Sequence, residues 1–181
     1  MPSLPFFSAI KPKEKFIVCL WMIFCFLVLS YKLGEVPPYH ADENFYVESS
    51  LSMVESGDYI TPVYHEKKRF AKPILYYWMV VSSYEIFGIS LRSARLPSVL
   101  FGVLSIGLVF LLGCRLFDNR VGLLSAFILP SIYLHFQISR WSTTDMALSF
   151  FVLLALYFFV HFFQTNFKKN IYAYLFYLSL G

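Results

Sequence analysis

Four stretches of the chain, 16–33, 96–117, 121–138 and 146–163, are apolar over close to the length needed to cross a bilayer, and a fifth begins at 171. A spanning helix needs about 20 mostly apolar residues. Inside hydrocarbon every backbone N–H and C=O must be satisfied within the protein, which leaves helices as the economical solution for such runs. The expectation is therefore an all-α polytopic membrane protein. Composition agrees: 14% of the residues are charged, against about 25% in soluble domains. The first run follows Lys11, Lys13 and Lys15 and ends at Ser30-Tyr31-Lys32-Leu33 without a small-residue cleavage site. It reads as a signal anchor and not as a removed leader, with residues 1–15 cytoplasmic.

Sidedness follows from the segment 74–87. It is only about 14 residues long and carries Ser82, Ser83 and Glu85, which is short for a span. Tyr76, Tyr77 and Trp78 suit a helix lying at the membrane surface. With 74–87 interfacial, Arg115, Arg120, Lys168 and Lys169 share the side of the N-terminal lysines, the positive-inside arrangement. A spanning 74–87 reverses those charges. The loop 34–95 then faces outward, together with the turn Arg140-Trp141-Ser142-Thr143-Thr144-Asp145. A second interfacial helix is expected at 42–56, with Val47, Leu51 and Val54 at helical spacing and Gly57 as its stop. Residues 58–62 read as extended, and Lys67-Lys68-Arg69 as a solvated or headgroup-facing cluster. Cys19, Cys25 and Cys114 all lie in apolar runs without metal-type spacing and carry no chemistry. The basic residues never gather on one polar domain, so no nucleic-acid partner is expected.

The outer face collects Asp42-Glu43, Lys72, Arg92 with Arg95, and Arg140 with Asp145. A carboxylate there can accept a proton as general base, and cations can neutralise a departing phosphate. Structural roles compete for the same residues. Asp42 and Asp145 suit helix capping, and Arg92 and Arg95 suit anchoring of the span that follows. The four histidines show no ligand spacing, so no protein metal site is predicted. Spacing supports a polar outer site without selecting a reaction.

Blocks in order along the chain go further. Asp42-Glu43-Asn44-Phe45-Tyr46, Ser56-Gly57-Asp58-Tyr59-Ile60-Thr61-Pro62, Lys72-Pro73-Ile74-Leu75-Tyr76-Tyr77-Trp78, Phe87-Gly88, Arg95-Leu96-Pro97-Ser98 and Arg140 with Thr144-Asp145-Met146 resemble the lipid-dependent glycosyltransferases of the GT-C type. The aminoarabinose transferase and protein O-mannosyltransferase relatives are the most similar. The resemblance covers roughly 38–155. It implies a GT-C fold over 16–181 with interfacial helices 42–56 and 74–87 in the first outer loop. It implies inverting transfer from a polyprenyl-phosphate sugar to a hydroxyl of a lipid (lipid A-like) or a protein, at the periplasmic face of a bacterial inner membrane. It assigns Asp42 and Glu43 to catalysis, Lys72 and Arg140 to the donor phosphate, and Asp145 and Arg95 to the cavity lining. No cofactor follows from it, and a divalent cation stays open. The chain departs from the pattern at Ala71, where relatives commonly carry Glu. Relatives run to roughly three times this length, so a truncated product is expected. The alternative is a noncatalytic membrane assembly or binding module that keeps the fold. A small transporter fits poorly, because the later spans hold almost no polar residues at mid-depth.

Overall fold

The structure is a computed structural model that describes residues 10–38, 41–164 and 170–180. His40, Lys168 and Lys169 lie outside the described residues. Helix α1 (Pro12–Ser30) starts with proline at its first position, where a missing N–H costs nothing. The Glu14 carboxylate accepts the Lys11 N–H at 3.2 Å. The expected run to residue 33 stops at Ser30, and Lys32 takes a left-handed conformation, φ 51°.

Helices α2 (Ala41–Ser56) and α3 (Ile74–Phe87) stand close to the bounds expected from sequence. Asp42 is not a cap; it lies inside the first turn of α2, beside Glu43. The buried face of α2 also differs from expectation. Val47, Leu51 and Val54 are only partly buried, and the fully buried line is Glu43, Tyr46, Ser50 and Met53. Tyr46 and Met53 pack against Tyr76, Tyr77, Val80 and Tyr84 of α3, with the Tyr46 and Tyr76 rings edge to face at 5.2 Å. Aromatic packing, more than a leucine-type stripe, joins these two helices.

Between them lies a small hairpin, β1 (Val63–Tyr64) antiparallel to β2 (Lys67–Lys68). Its two turn residues, His65 and Glu66, have φ of 47° and 62°. Positive φ at both central positions matches the twist of a two-residue hairpin. No Asn-Gly or Asp-Gly pair announces this turn, and the sequence reading placed only a basic cluster there.

Helix α4 (Leu91–Leu116) is the spine. Ser90 caps it, its hydroxyl accepting the Ser93 N–H at 3.1 Å. Pro97 lies within the helix and lacks the N–H that would bond the carbonyl four residues earlier. That carbonyl, of Ser93, accepts the Ser83 hydroxyl of α3 at 2.6 Å instead. The helix therefore continues through its proline, docked to α3 at the exposed acceptor.

Asp118 caps α5 (Asn119–Ile128), its carboxylate accepting the N–H groups of Arg120 and Val121 at 2.8 and 2.9 Å. A Cβ added at Gly113 of α4 would lie 2.7 Å from the Gly122 Cα of α5, so the two backbones touch there. The expected single run 121–138 is broken: α5 ends at Ile128, a 3₁₀ turn covers Leu129–Ser131, and α6 is Tyr133–Ile138. Pro130 disrupts the hydrogen-bond ladder at the break. Helix α7 (Thr144–Gln164) packs on α4, and α8 (Asn170–Leu180) on α7. Helices α4 and α7 are long and apolar enough to cross a membrane.

Candidate active site

The loop after α1, the start of α2, the first turns of α4 and the turn before α7 meet at one end of the helices. At their junction Glu43, with no exposed side-chain surface, faces Arg95. The pair is bidentate: Arg95 Nε donates to Oε1 at 2.6 Å and Nη2 to Oε2 at 2.8 Å. Arg95 Nη1 donates to the Leu33 and Val36 carbonyls at 2.6 and 2.9 Å. The Ser142 N–H donates to Glu43 Oε1 at 2.9 Å. Burying two charges is unfavourable unless their remaining hydrogen-bonding capacity is also met, and this network meets most of it.

A second polar layer joins the same elements. The Tyr76 hydroxyl lies 2.7 Å from Ser98 Oγ, and the Tyr46 hydroxyl 3.2 Å from Thr144 Oγ1. Burial holds the Tyr46 phenol above its ordinary pKa, and the neighbouring Tyr77, Asp42 and Asp145 add to the rise, against the Thr144 contact. Both aspartates are exposed and both act on one hydroxyl, so Tyr46 marks where the first turns of α2 and α7 converge. Asp145 Oδ2 accepts the Thr143 hydroxyl at 3.0 Å.

The six residues singled out by sequence thus occupy four surroundings. Asp42 and Asp145 are exposed carboxylates flanking Tyr46–Thr144. Glu43 and Arg95 are buried partners beneath them. Arg140 reaches back to the end of α1, where its Nη1 donates to the Leu29 and Tyr31 carbonyls at 2.8 and 2.9 Å. These are terminal carbonyls that a helix cannot satisfy itself. Lys72 is exposed in the turn before α3, with no hydrogen bond or ion pair to the other five among the described residues.

Arg69, which the sequence placed only in a solvated or headgroup-facing cluster with Lys67 and Lys68, is partly buried and is a further neighbour of the site. Its guanidinium lies 3.6 Å over the Phe45 ring, one turn along α2 from Asp42. It also lies beside the Tyr77 hydroxyl, opposing part of the pKa rise that burial imposes there, without the geometry of a hydrogen bond. A flat cation on an aromatic face has no local sequence signature. Among the described residues no three His, Cys, Asp or Glu side chains converge on a common metal position.

Residues 71–181 match the family model described as dolichyl-phosphate-mannose-protein mannosyltransferase. An uncharacterized protein of Aquifex aeolicus is 32% identical over 168 residues, covering 92% of this chain and 32% of the relative. The undecaprenyl phosphate-alpha-4-amino-4-deoxy-L-arabinose arabinosyl transferase of Pseudomonas aeruginosa (strain LESB58) is 34% identical over 116 residues, covering 64% of this chain and 21% of that protein. Among solved structures, ArnT from Cupriavidus metallidurans bound to undecaprenyl phosphate superposes with a TM-score of 0.71 at 28% identity, over 81% of this chain and 26% of that one. The apo form of the same protein gives the same TM-score. The chain spans about a third or less of the length of these relatives.

Proposed function

Because the chain belongs to the dolichyl-phosphate-mannose-protein mannosyltransferase family of membrane-embedded GT-C glycosyltransferases, we propose that its outer loop carries the proton-accepting half of an inverting sugar transfer. The donor is a sugar on a polyprenyl phosphate, the class of lipid named in the matched ArnT complex. The acceptor is a hydroxyl of a lipid, lipid A-like, or of a protein, presented at the periplasmic face of a bacterial inner membrane, where α2 and α3 lie along the interface.

In this reading Asp42 is the general base. The acceptor hydroxyl gives its proton to the Asp42 carboxylate as its oxygen bonds to the anomeric carbon. The bond from that carbon to the phosphate oxygen breaks, and the polyprenyl phosphate leaves with the electron pair. Lys72 neutralises the charge gathering on that phosphate. Arg140 joins it through Nη2, since Nη1 serves the end of α1. Asp145, across from Asp42, orients the acceptor. Glu43 and Arg95 act through their neighbours and are positioning residues: their locked pair fixes the first turn of α2 and so the aim of Asp42.

One observation carries the proposal. An exposed carboxylate, Asp42, directly precedes the Glu43 of a buried, doubly bonded ion pair, and the Tyr46–Thr144 contact brings its helix turn against the one that carries the exposed Asp145. The test is transfer from a polyprenyl-phosphate sugar, measured in membranes with Asp42→Asn. General-base catalysis contributes about 100- to 10,000-fold, so a loss of that size with an unchanged melting temperature is expected. Intact transfer by Asp42→Asn overturns the general-base role of Asp42, whereas a lack of transfer by the unaltered chain favours the noncatalytic assembly or binding module.

A further inference from the structure

Two cavities share a wall on the side of α3 that faces away from α2. The larger, about 470 Å³, is an apolar groove between α1, α3 and α4, with Phe26, Pro97, Leu100 and Leu104 along its length. From Leu96 to Leu104 it follows α4 for about 12 Å at 1.5 Å per residue. The smaller, about 280 Å³, is lined by Tyr59, Trp78, Val81, Ser82 and Glu85. Trp78 and Ser82 belong to both. The apolar groove and the polar chamber therefore adjoin at Trp78 and Ser82 of α3.

The polar chamber has a definite chemistry. Trp78 Nε1 donates to the Tyr59 carbonyl at 2.6 Å, and the Tyr59 hydroxyl donates to Glu85 Oε1 at 2.8 Å. These bonds tie the Trp78 ring to the Tyr59 backbone and the Tyr59 ring to the Glu85 carboxylate. Glu85 Oε2 receives no protein donor among the described residues. Ser82 gives its hydroxyl hydrogen to the Trp78 carbonyl at 2.8 Å, which leaves its oxygen free to accept. Glu85 is the one ionised side chain lining either cavity, and neither is lined by Lys or Arg. The chamber thus offers acceptors and aromatic faces to a cation and nothing to a bare anion.

We infer that the paired cavities bind a membrane phospholipid with a primary-ammonium head, of the ethanolamine type, one acyl chain lying along α4 and the ammonium between Trp78, Ser82 and Glu85. An open apolar groove on a helix of spanning composition has acyl chains as its surrounding solvent. The carboxylate then selects among heads. A primary ammonium donates to Glu85 Oε2 and Ser82 Oγ, which a choline head cannot do and a glycerol head does without the charge. The site goes beyond the transfer reaction, because α3 uses its other face, Tyr76, Tyr77, Val80 and Tyr84, to pack on α2.

The test is quenching of Trp78 in bilayers of equal parts phosphatidylethanolamine, phosphatidylglycerol and phosphatidylcholine. One lipid at a time carries brominated acyl chains, and the chain minus its Trp78→Phe variant isolates the Trp78 signal. Brominated phosphatidylethanolamine should quench about twofold to fivefold more than either other lipid, the ratio expected of one exposed cation–aromatic and carboxylate contact. Glu85→Gln should bring the three lipids to equality while quenching itself persists, since the apolar groove is untouched and the fold intact. Equal quenching by all three lipids in the unaltered chain overturns the inference. So does stronger quenching by phosphatidylglycerol or phosphatidylcholine, or a preference that survives Glu85→Gln.

Discussion

The Glu43–Arg95 pair determines what can be changed at the site without losing the fold. Both groups are buried and bonded on nearly every edge. Removing one partner strands the other charge, and such single removals cost about 3–5 kcal/mol. Arg95→Met should therefore lower stability by about that amount in detergent, read as a shift of the chemical or thermal unfolding midpoint. Glu43→Leu combined with Arg95→Met should cost less than the two single variants added together, because neither charge is then left alone. Additive losses would mean that the pair is not coupled in this way. The roles within the acidic dipeptide were partly legible in the sequence. Neighbours on a helix point about 100° apart, since 3.6 residues make a turn, so Asp42 and Glu43 cannot share one environment. Positions 43, 46, 50 and 53 form one helical stripe as clearly as 47, 51 and 54. Hydrophobicity favoured the second stripe, and the structure buries the first, because Glu43 has a partner 52 residues away. Arg69 stacked on Phe45 was invisible for the same reason: the contact depends on a hairpin that no turn residue advertised.

At the scale of elements, glycines and prolines mark where helices touch or break. The run 121–138 is mostly apolar, so hydropathy alone made it one helix, although Pro130 stood within it. Pro97 stood within a helix too and did not break it, because Ser83 takes over the carbonyl it frees. Local sequence does not distinguish the two prolines; the availability of a donor on a neighbouring helix does. Close contact gives a sharper contrast. A methyl at Gly113 meets the backbone of Gly122 at 2.7 Å, whereas one at Gly107 meets the flexible end of Met22 at 3.2 Å. Overpacking typically costs about 1–3 kcal/mol, and backbone yields less readily than a methionine tip. Gly113→Ala should thus lower the unfolding midpoint clearly, and Gly107→Ala little, when both are measured in the same detergent. Equal effects would show that α4 and α5 do not meet closely at Gly113 and Gly122.

The whole molecule turns on α4 as a ruler. Arg95 and Arg115 are 20 residues apart on it, about 30 Å at 1.5 Å per residue, which matches the hydrocarbon thickness of a bilayer. Each arginine is bonded at its own end: Arg95 to Glu43 and the loop after α1, Arg115 through Nη1 to Gln164 Oε1 of α7 at 3.0 Å. A helix with both guanidinium groups held by polar partners resists sliding through the membrane, since either would have to enter hydrocarbon. Helix α7 runs beside α4 with Asp145 in its first turn and Gln164 at its end, so Asp145 belongs with Arg95 and Asp42 at one surface. Single cysteines at 42 and 145, in a background where the exposed Cys19 is replaced by Ala, should both react with a membrane-impermeant maleimide added to the periplasmic side. A cysteine at 115 should react only after the membrane is opened. Labelling of 42 and 145 from opposite sides would separate the two carboxylates whose helix turns the Tyr46–Thr144 contact joins and would remove the shared site. Labelling of both from the cytoplasm would keep the site and reverse its orientation, and the sugar donor would then have to be presented at the inner leaflet.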